Sequence, residues 1–486
     1  MAEIVLKSIK TATDDRYIGF KLPGVRVVPV HIFSGASRLI CGYVSNVENI
    51  QKLSYVCDAH GKTPEGRDTR AILKWLQDEN KIDARIEEQD LNVYRLFLQQ
   101  ILNSDGAVFS GTNTNMVSYT SGSDSFVCGK SMYEDAGELM AELIKIYCPK
   151  LAAFIKQVLQ DRKDVISLLF LPVLDSETKT PYQDPALPLC FEKIDEYPNA
   201  KMFLNDLEES GNCLLEHLEL QENKLNVLRM FNLFCMFHLF RFMANVEHIY
   251  RNTPRRLFLL DFSEGGTNSQ SRMSSMTYMQ VHRSFSAFYK WGYSEILKHQ
   301  GWDKESLMAE GTPSIDKVPV NNEELKTIWN LAKKQCESLG EDEAMSEFAA
   351  TVFNMLERDK KVSPTTYIKL FGIHAGILVQ GTRSLPPRFK PKSDMLEMII
   401  RCCVKPGETV RGVRFKDLLW KRMNIVIGGD EKDIERLNDS GCRVMTDEDS
   451  LITNYEQFAE KLRVMNFAET MADGILQIHL GDSYNG

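Results

Sequence analysis

The 486-residue chain contains no CxxC pair, and its eleven cysteines are scattered and odd in number. That excludes a regular disulfide framework and points to free thiols in a reducing compartment. The chain lacks positive charge: 58 Lys and Arg stand against 67 Asp and Glu, a formal net charge of −9. A general electrostatic attraction to nucleic acid or anionic lipid is thereby excluded, and any such contact must be local. The opening residues MAEIVLKSIK carry no apolar run of the signal-peptide kind. Neither GxSxG nor HExxH occurs, no internal repeat is visible, and no tract is of low complexity.

Long hydrophobic runs are scarce as well. The most apolar stretch, Leu225 to Val246, is interrupted by Arg229, Asn232, His238 and Arg241. Its longest charge-free part, Met230 to Phe240, is well short of the roughly 20 residues that a membrane span requires. It reads as the buried central helix of a large globular domain. No membrane contact is expected, and the expected location is cytoplasmic.

The chain has an ordinary globular composition and a length that suits several domains. Residues 1–133 read as a mixed α/β region. The stretches 3–10, 17–22, 25–33 and 39–44 are β-branched, short and bounded by turn residues, which predicts strands. Residues 68–81 and 91–103 have helical spacing, and 110–125 is a polar loop with room for one strand. Residues 134–383 read as mainly helical, with Pro149 breaking the first helix. Within this region 165–174 and 256–262 are expected buried strands, and acid-rich 303–347 a solvated face.

A basic, proline-rich linker is expected over 384–393, followed by a separate domain over 394–486. There, 395–404, 415–429, 430–441 and 454–467 predict four helices. Asp473-Gly474 between alternating apolar residues predicts a closing hairpin. Helices followed by a last helix and a two-stranded wing outline a winged-helix-like domain. The expected fold is therefore mainly α, with a mixed α/β N-terminal region and a C-terminal winged helix.

Four patterns bear on chemistry, each beside a plain alternative. Gly129, Lys130 and Ser131 end a phosphate-loop-like stretch, in which glycine amides, a lysine and a hydroxyl would hold phosphate and Mg²⁺. Asp124 stands where the loop's first glycine belongs, so an exposed turn is the alternative. Asp261 and Ser263 close an apolar strand and could hold a cation, or they could cap the next turn. Arg241 and His248 lie two helical turns apart, a spacing that suits a phosphate-handling acid–base pair or two snorkelling side chains. His31, Cys41, Cys57 and His60 fall within thirty residues, but their pairs are too unevenly spaced for structural zinc. No metal and no cofactor are expected.

Candidate contacts to nucleic acid or a protein partner are Arg251, Arg255, Arg256, Arg388, Lys390, Lys392, Lys461 and Arg463, with Arg383 nearby. From Pro391 onward 17 acidic residues outnumber 13 basic ones, which suits protein docking better than DNA reading. The leading reading is a non-catalytic scaffold or adaptor subunit of a multi-protein complex that handles DNA or RNA. The rival is a phosphate-acting enzyme, a divergent nucleotidase or a helical ribonuclease. A third reading is a DNA-binding regulator.

Overall fold

A computed structural model describes residues 5–22, 29–45, 69–78, 85–91, 93, 108–110, 116–118, 135–161, 163, 168, 179–264, 266, 268–314, 323–359, 362–383, 385–440, 448–472 and 474–480. Helices dominate, and the strands are few and short. The chain divides into two compact units with bounds other than those drawn from the sequence. One comprises Met1–Val27, Ala186–Leu214 and Phe237–Gly486. The other comprises Val28–Pro185 and Leu215–Met236.

In the smaller unit the helices Pro29–Cys41 and Ala136–Tyr147 pack face to face. Small residues make the contact close: a Cβ on Gly137 would lie 2.0 Å from the Ile32 carbonyl oxygen. At the same contact Arg38 Nη2 donates to Glu138 Oε1 at 2.5 Å, and the Tyr182 hydroxyl donates to that oxygen at 2.9 Å. Pro149 starts the next helix, Pro149–Gln160, after a break at Cys148, because its ring presets φ and it has no N–H to satisfy. Phe33 meets Phe231 edge-on at 6.5 Å.

Here the strand expectations of the N-terminal region need correction. Residues 3–10 hold the helix Leu6–Thr13, which belongs to the larger unit, and 25–33 and 39–44 are largely helix Pro29–Cys41. Leu6, Ile9, Lys10 and Thr13 are the buried positions of the first, a helical period that outweighs its β-branched content. Short strands remain at Tyr43–Ser45, paired with Lys179–Pro181, and at Val108–Ser110, paired with Met116–Ser118. The expected helix 68–81 is Thr69–Asp78. Most of 91–103 and of 165–174 lies outside the described residues.

The larger unit is built on the helix Ser269–His299, started by Asn268, whose side chain accepts from the Ser271 N–H. Against it pack Leu6–Thr13, Glu341–Glu357, Pro364–His374 and Glu448–Val464. Asp14 anchors the first of these: its buried carboxylate accepts from Lys10 Nζ at 2.5 Å and from the Tyr289 hydroxyl at 2.6 Å. The long helix Lys224–Arg251 meets the length and composition of a membrane span, yet 83% of its apolar window is buried inside the protein. Its Phe240 ring lies 5.7 Å from Phe258 and 6.1 Å from Phe389.

Four short strands tie distant segments together. Phe258–Leu259 runs parallel to Ile425–Val426, Leu260 bridges Phe389, and Arg388–Phe389 runs antiparallel to Leu378–Val379. The expected strand 256–262 is therefore present but short. The proline-rich stretch 384–393 carries a strand whose two residues are buried.

Beyond it come helix Ser393–Arg401, strand Thr409–Arg411, helices Gly412–Met423, Glu431–Asp439 and Glu448–Val464, and strands Ala468–Thr470 and Leu476–His479. The last two strands form the expected hairpin, with Gly474 at φ 80° in its turn, and Thr409–Arg411 pairs antiparallel with Leu476–His479. The helix expected over 415–429 ends at Met423. Asn424 caps it in the left-handed region, and the β-branched Ile425 and Val426 continue as strand.

Candidate functional site

The structure uses most of the candidate residues as internal fasteners. Asp261 emerges from the Phe258–Leu259 strand fully buried. Its Oδ1 accepts from the Ser263 N–H at 2.9 Å and from the Ser263 hydroxyl at 2.5 Å. Its Oδ2 accepts from Ser271 Oγ at 2.7 Å and from Arg388 Nε at 2.6 Å. Lys390 Nζ donates to the Ser263 carbonyl at 2.7 Å. Asn454 seals the same corner: it donates to the Leu260 and Ile427 carbonyls at 2.8 Å each and accepts from the Phe262 N–H. Both carboxylate oxygens of Asp261 thus have several donors, the arrangement of a structural acceptor.

Arg241 and His248 do not converge. The Arg241 Nε donates to Asn424 Oδ1 at 2.9 Å, and its guanidinium is ion-paired with Asp206. Arg255 joins from the other side, 3.0 Å from the same Asp206 oxygen. Burial pushes the Arg241 guanidinium below its usual range, and the Asp206 charge opposes that shift. Burial likewise raises Asp206, against the pull of both arginines. His248 Nδ1 instead contacts the Thr253 carbonyl, and burial lowers its pKa.

The remaining cations are largely engaged. Arg251 and Arg256 both bind Glu247, which also accepts from the Ser284 hydroxyl at 2.7 Å. Lys461 Nζ donates to Ser393 Oγ at 3.0 Å, and Arg463 pairs with Glu460. Arg383 and Lys392 are exposed. Gly129, Lys130, Ser131, Cys57 and His60 lie outside the described residues. His31 and Cys41 sit ten positions apart on one helix, about 15 Å along its axis, too far to share a metal. His31 is buried, and burial, helped by the Arg38 charge, holds its pKa down at about 4. Among the described residues no group of three His, Cys, Asp or Glu is placed to hold a metal ion. The eight described cysteines are free and buried.

Two open cavities of the larger unit escaped the sequence reading. One, of about 420 Å³, is lined by Arg251, Lys290, Trp291, Glu295, Lys298 and Asp342 among others, and Lys298 Nζ lies 2.7 Å from Asp342. The other, of about 400 Å³, lies along Thr409–Arg411 and Gly412–Met423 and presents Lys405, Arg411, Arg414 and Arg422 with, among the described residues, a single acid, Glu408. The signal for the second was in the chain: positions 411, 414, 418 and 422 recur at helical spacing, with arginine at three of them.

No family model, no curated protein and no solved structure matches the chain.

Proposed function

We propose that the chain is a non-catalytic scaffold or adaptor subunit of a multi-protein complex that handles DNA or RNA, docking through a C-terminal domain of the winged-helix type. The element order from Ser393 onward supports this: helix, strand, helices, then a last helix and a hairpin. The three-stranded sheet supports it too, because the strand after the first helix lies beside the final strand of the hairpin.

The observation that carries the docking role is the outer face of Glu448–Val464. Ile452, Glu456, Glu460 and Val464 follow one another at four-residue spacing, all exposed, with Ile452 at 49% and Val464 at 70%. Glu448 and Asp449 extend the acidity of this face. Two bare aliphatic side chains within acids suit a protein partner with a basic rim and repel phosphate. The internal engagement of Asp261, Arg241 and Arg388 supports the non-catalytic reading over a phosphate-acting enzyme.

The test is cross-linking mass spectrometry on complexes purified with the full chain and with the Ile452→Asp/Val464→Asp double variant. Cross-links from 448–464 to a partner, lost in the folded double variant, are expected. A chain that purifies alone, or partners indifferent to the double variant, ends the docking reading. Thermal unfolding with Mg²⁺-nucleotide addresses the rival: a clear upward shift that vanishes in Lys130→Ala would favour the enzyme.

A further inference from the structure

We propose that the cavity along Thr409–Arg411 and Gly412–Met423 binds the sugar-phosphate backbone of a nucleic acid, without reading its sequence. This rests on the nucleic-acid-handling reading above and names the surface that would carry it.

The cavity is a concentration of positive charge in an acidic chain. Lys405, Arg411, Arg414 and Arg422 line it, and Glu408 is the one acid among its described lining residues. Several other cations of the surrounding domain are paired. Lys416 Nζ donates to the Gly428 carbonyl at 2.9 Å and is ion-paired with Asp430, Arg436 is held by Asp417 and Asp433, and Arg401 by Glu397. Arg422 is partly engaged, donating to Glu209 at 3.1 Å and to the Cys402 carbonyl at 3.0 Å. Arg411 and Arg414 are different. Both are exposed, and neither side chain makes a hydrogen bond or ion pair with any described residue. Two exposed cations that line one cavity and make no ion pair with a described residue are free to meet an anionic ligand.

The shape of the charge selects the ligand. Arg414, Leu418 and Arg422 share one face of the helix, and Arg411 immediately precedes it. From 414 to 422 the axis advances about 12 Å. A nucleic-acid strand carries a phosphate for every ~3.4 Å of duplex axis, so the stripe spans about three or four phosphates. A lone phosphate would occupy one arginine fork and leave the others unmatched. Among the described residues no aromatic ring lines the cavity, so they offer no platform on which a base could stack. Contacts of this kind position a backbone and do not specify bases. The acidic face of Glu448–Val464 directs nucleic acid away from that helix and leaves it to the protein partner.

Fluorescence polarisation of the full chain tests this, with labelled duplex DNA, duplex RNA and single strands of about 20 nucleotides at roughly 50–200 mM salt. Wild type is expected to bind with affinity falling steeply in salt and with little dependence on base sequence. Arg411→Gln/Arg414→Gln should weaken binding about tenfold or more and flatten the log–log salt slope by about 2. Neither side chain bonds to a described residue, so the melting temperature should stay unchanged and a loss of binding is not a loss of folding. The proposal falls if no nucleic acid binds at the lowest salt, or if the double variant keeps affinity and slope. It also falls if about 10 mM inorganic phosphate, at constant ionic strength, displaces the strand completely, because the site is then a single-anion pocket. The Ile452→Asp/Val464→Asp variant should bind nucleic acid as wild type does. Partner loss alone therefore reports on docking, and polarisation loss alone on this site.

Discussion

Arg388 and Asp261, 127 positions apart in sequence, meet as a buried ion pair: Nε lies 2.6 Å from Oδ2, with side chains 9% and 0% exposed. The pair fixes the proline-rich stretch to the end of the Phe258–Leu259 strand, where Leu260 bridges Phe389 and the Asp261 N–H donates to the Phe389 carbonyl at 2.7 Å. A buried pair adds little net stability against an apolar pair of equal size, but breaking one side strands a charge. Arg388→Met should therefore cost about 3–5 kcal/mol, and Arg388→Met/Asp261→Asn should recover a large part of it. Denaturant unfolding of the single and double variants checks this. A mild Arg388→Met would mean that the two serine hydroxyls and the Ser263 N–H satisfy Asp261 without it.

What the sequence displayed was periodicity. The helices Ala136–Tyr147, Lys224–Arg251 and Ser269–His299 were all visible as apolar stripes, and the closing hairpin as Asp-Gly between alternating residues. What it hid was burial of charge. Arg388 among prolines looks solvated, and only the fold shows that Asp261 claims it. The helix Pro29–Cys41 was hidden by local content, since Val, Ile and Pro suggest strand until Gly35 and Ala36 are seen to meet Glu138 and Gly137. Arg411 and Arg414 were legible as a spacing, but their significance depends on having no partner, which no sequence displays.

Gly137 offers a test of that helix contact. Alanine in a helix interior ordinarily gains up to about 1 kcal/mol over glycine. Here the new methyl would sit 2.0 Å from the Ile32 carbonyl oxygen and 2.9 Å from the Ala36 nitrogen, both main-chain atoms that cannot step aside. Gly137→Ala should instead destabilise by about 1–3 kcal/mol, the cost of overpacking. Thermal unfolding decides: a raised midpoint would show that the two helices separate freely.

His31 predicts a pH dependence. Its folded pKa is held at about 4, below the usual 6.5, so the folded chain prefers it neutral. The stability it contributes is complete above pH 6.5, declines as pH falls, and is gone below about 4. The loss is at most about 3 kcal/mol across that window. Unfolding midpoints of wild type and His31→Leu, compared from neutral pH downward, isolate this group, because the other histidines titrate in both. Wild type should lose stability relative to the variant as the medium acidifies. Parallel curves would show that His31 is not desolvated.

Arg241 separates geometry from charge. Its planar fork reaches Asn424 through Nε and Asp206 through Nη2 together, while Asn424 also donates to the Arg256 carbonyl at 3.0 Å. A lysine carries the same charge on a single nitrogen and cannot serve both partners. Arg241→Lys should thus destabilise nearly as much as Arg241→Met, by about 2–4 kcal/mol. The lower end applies because Arg255 remains beside Asp206 to hold its charge. Removing Arg255 as well should leave that carboxylate, 16% exposed, without a cation, and the double loss should exceed the sum of the single losses. Chemical unfolding of the four-member mutant cycle measures the coupling. If Arg241→Lys were neutral, charge alone would hold this corner, and the Asn424 bond would contribute nothing.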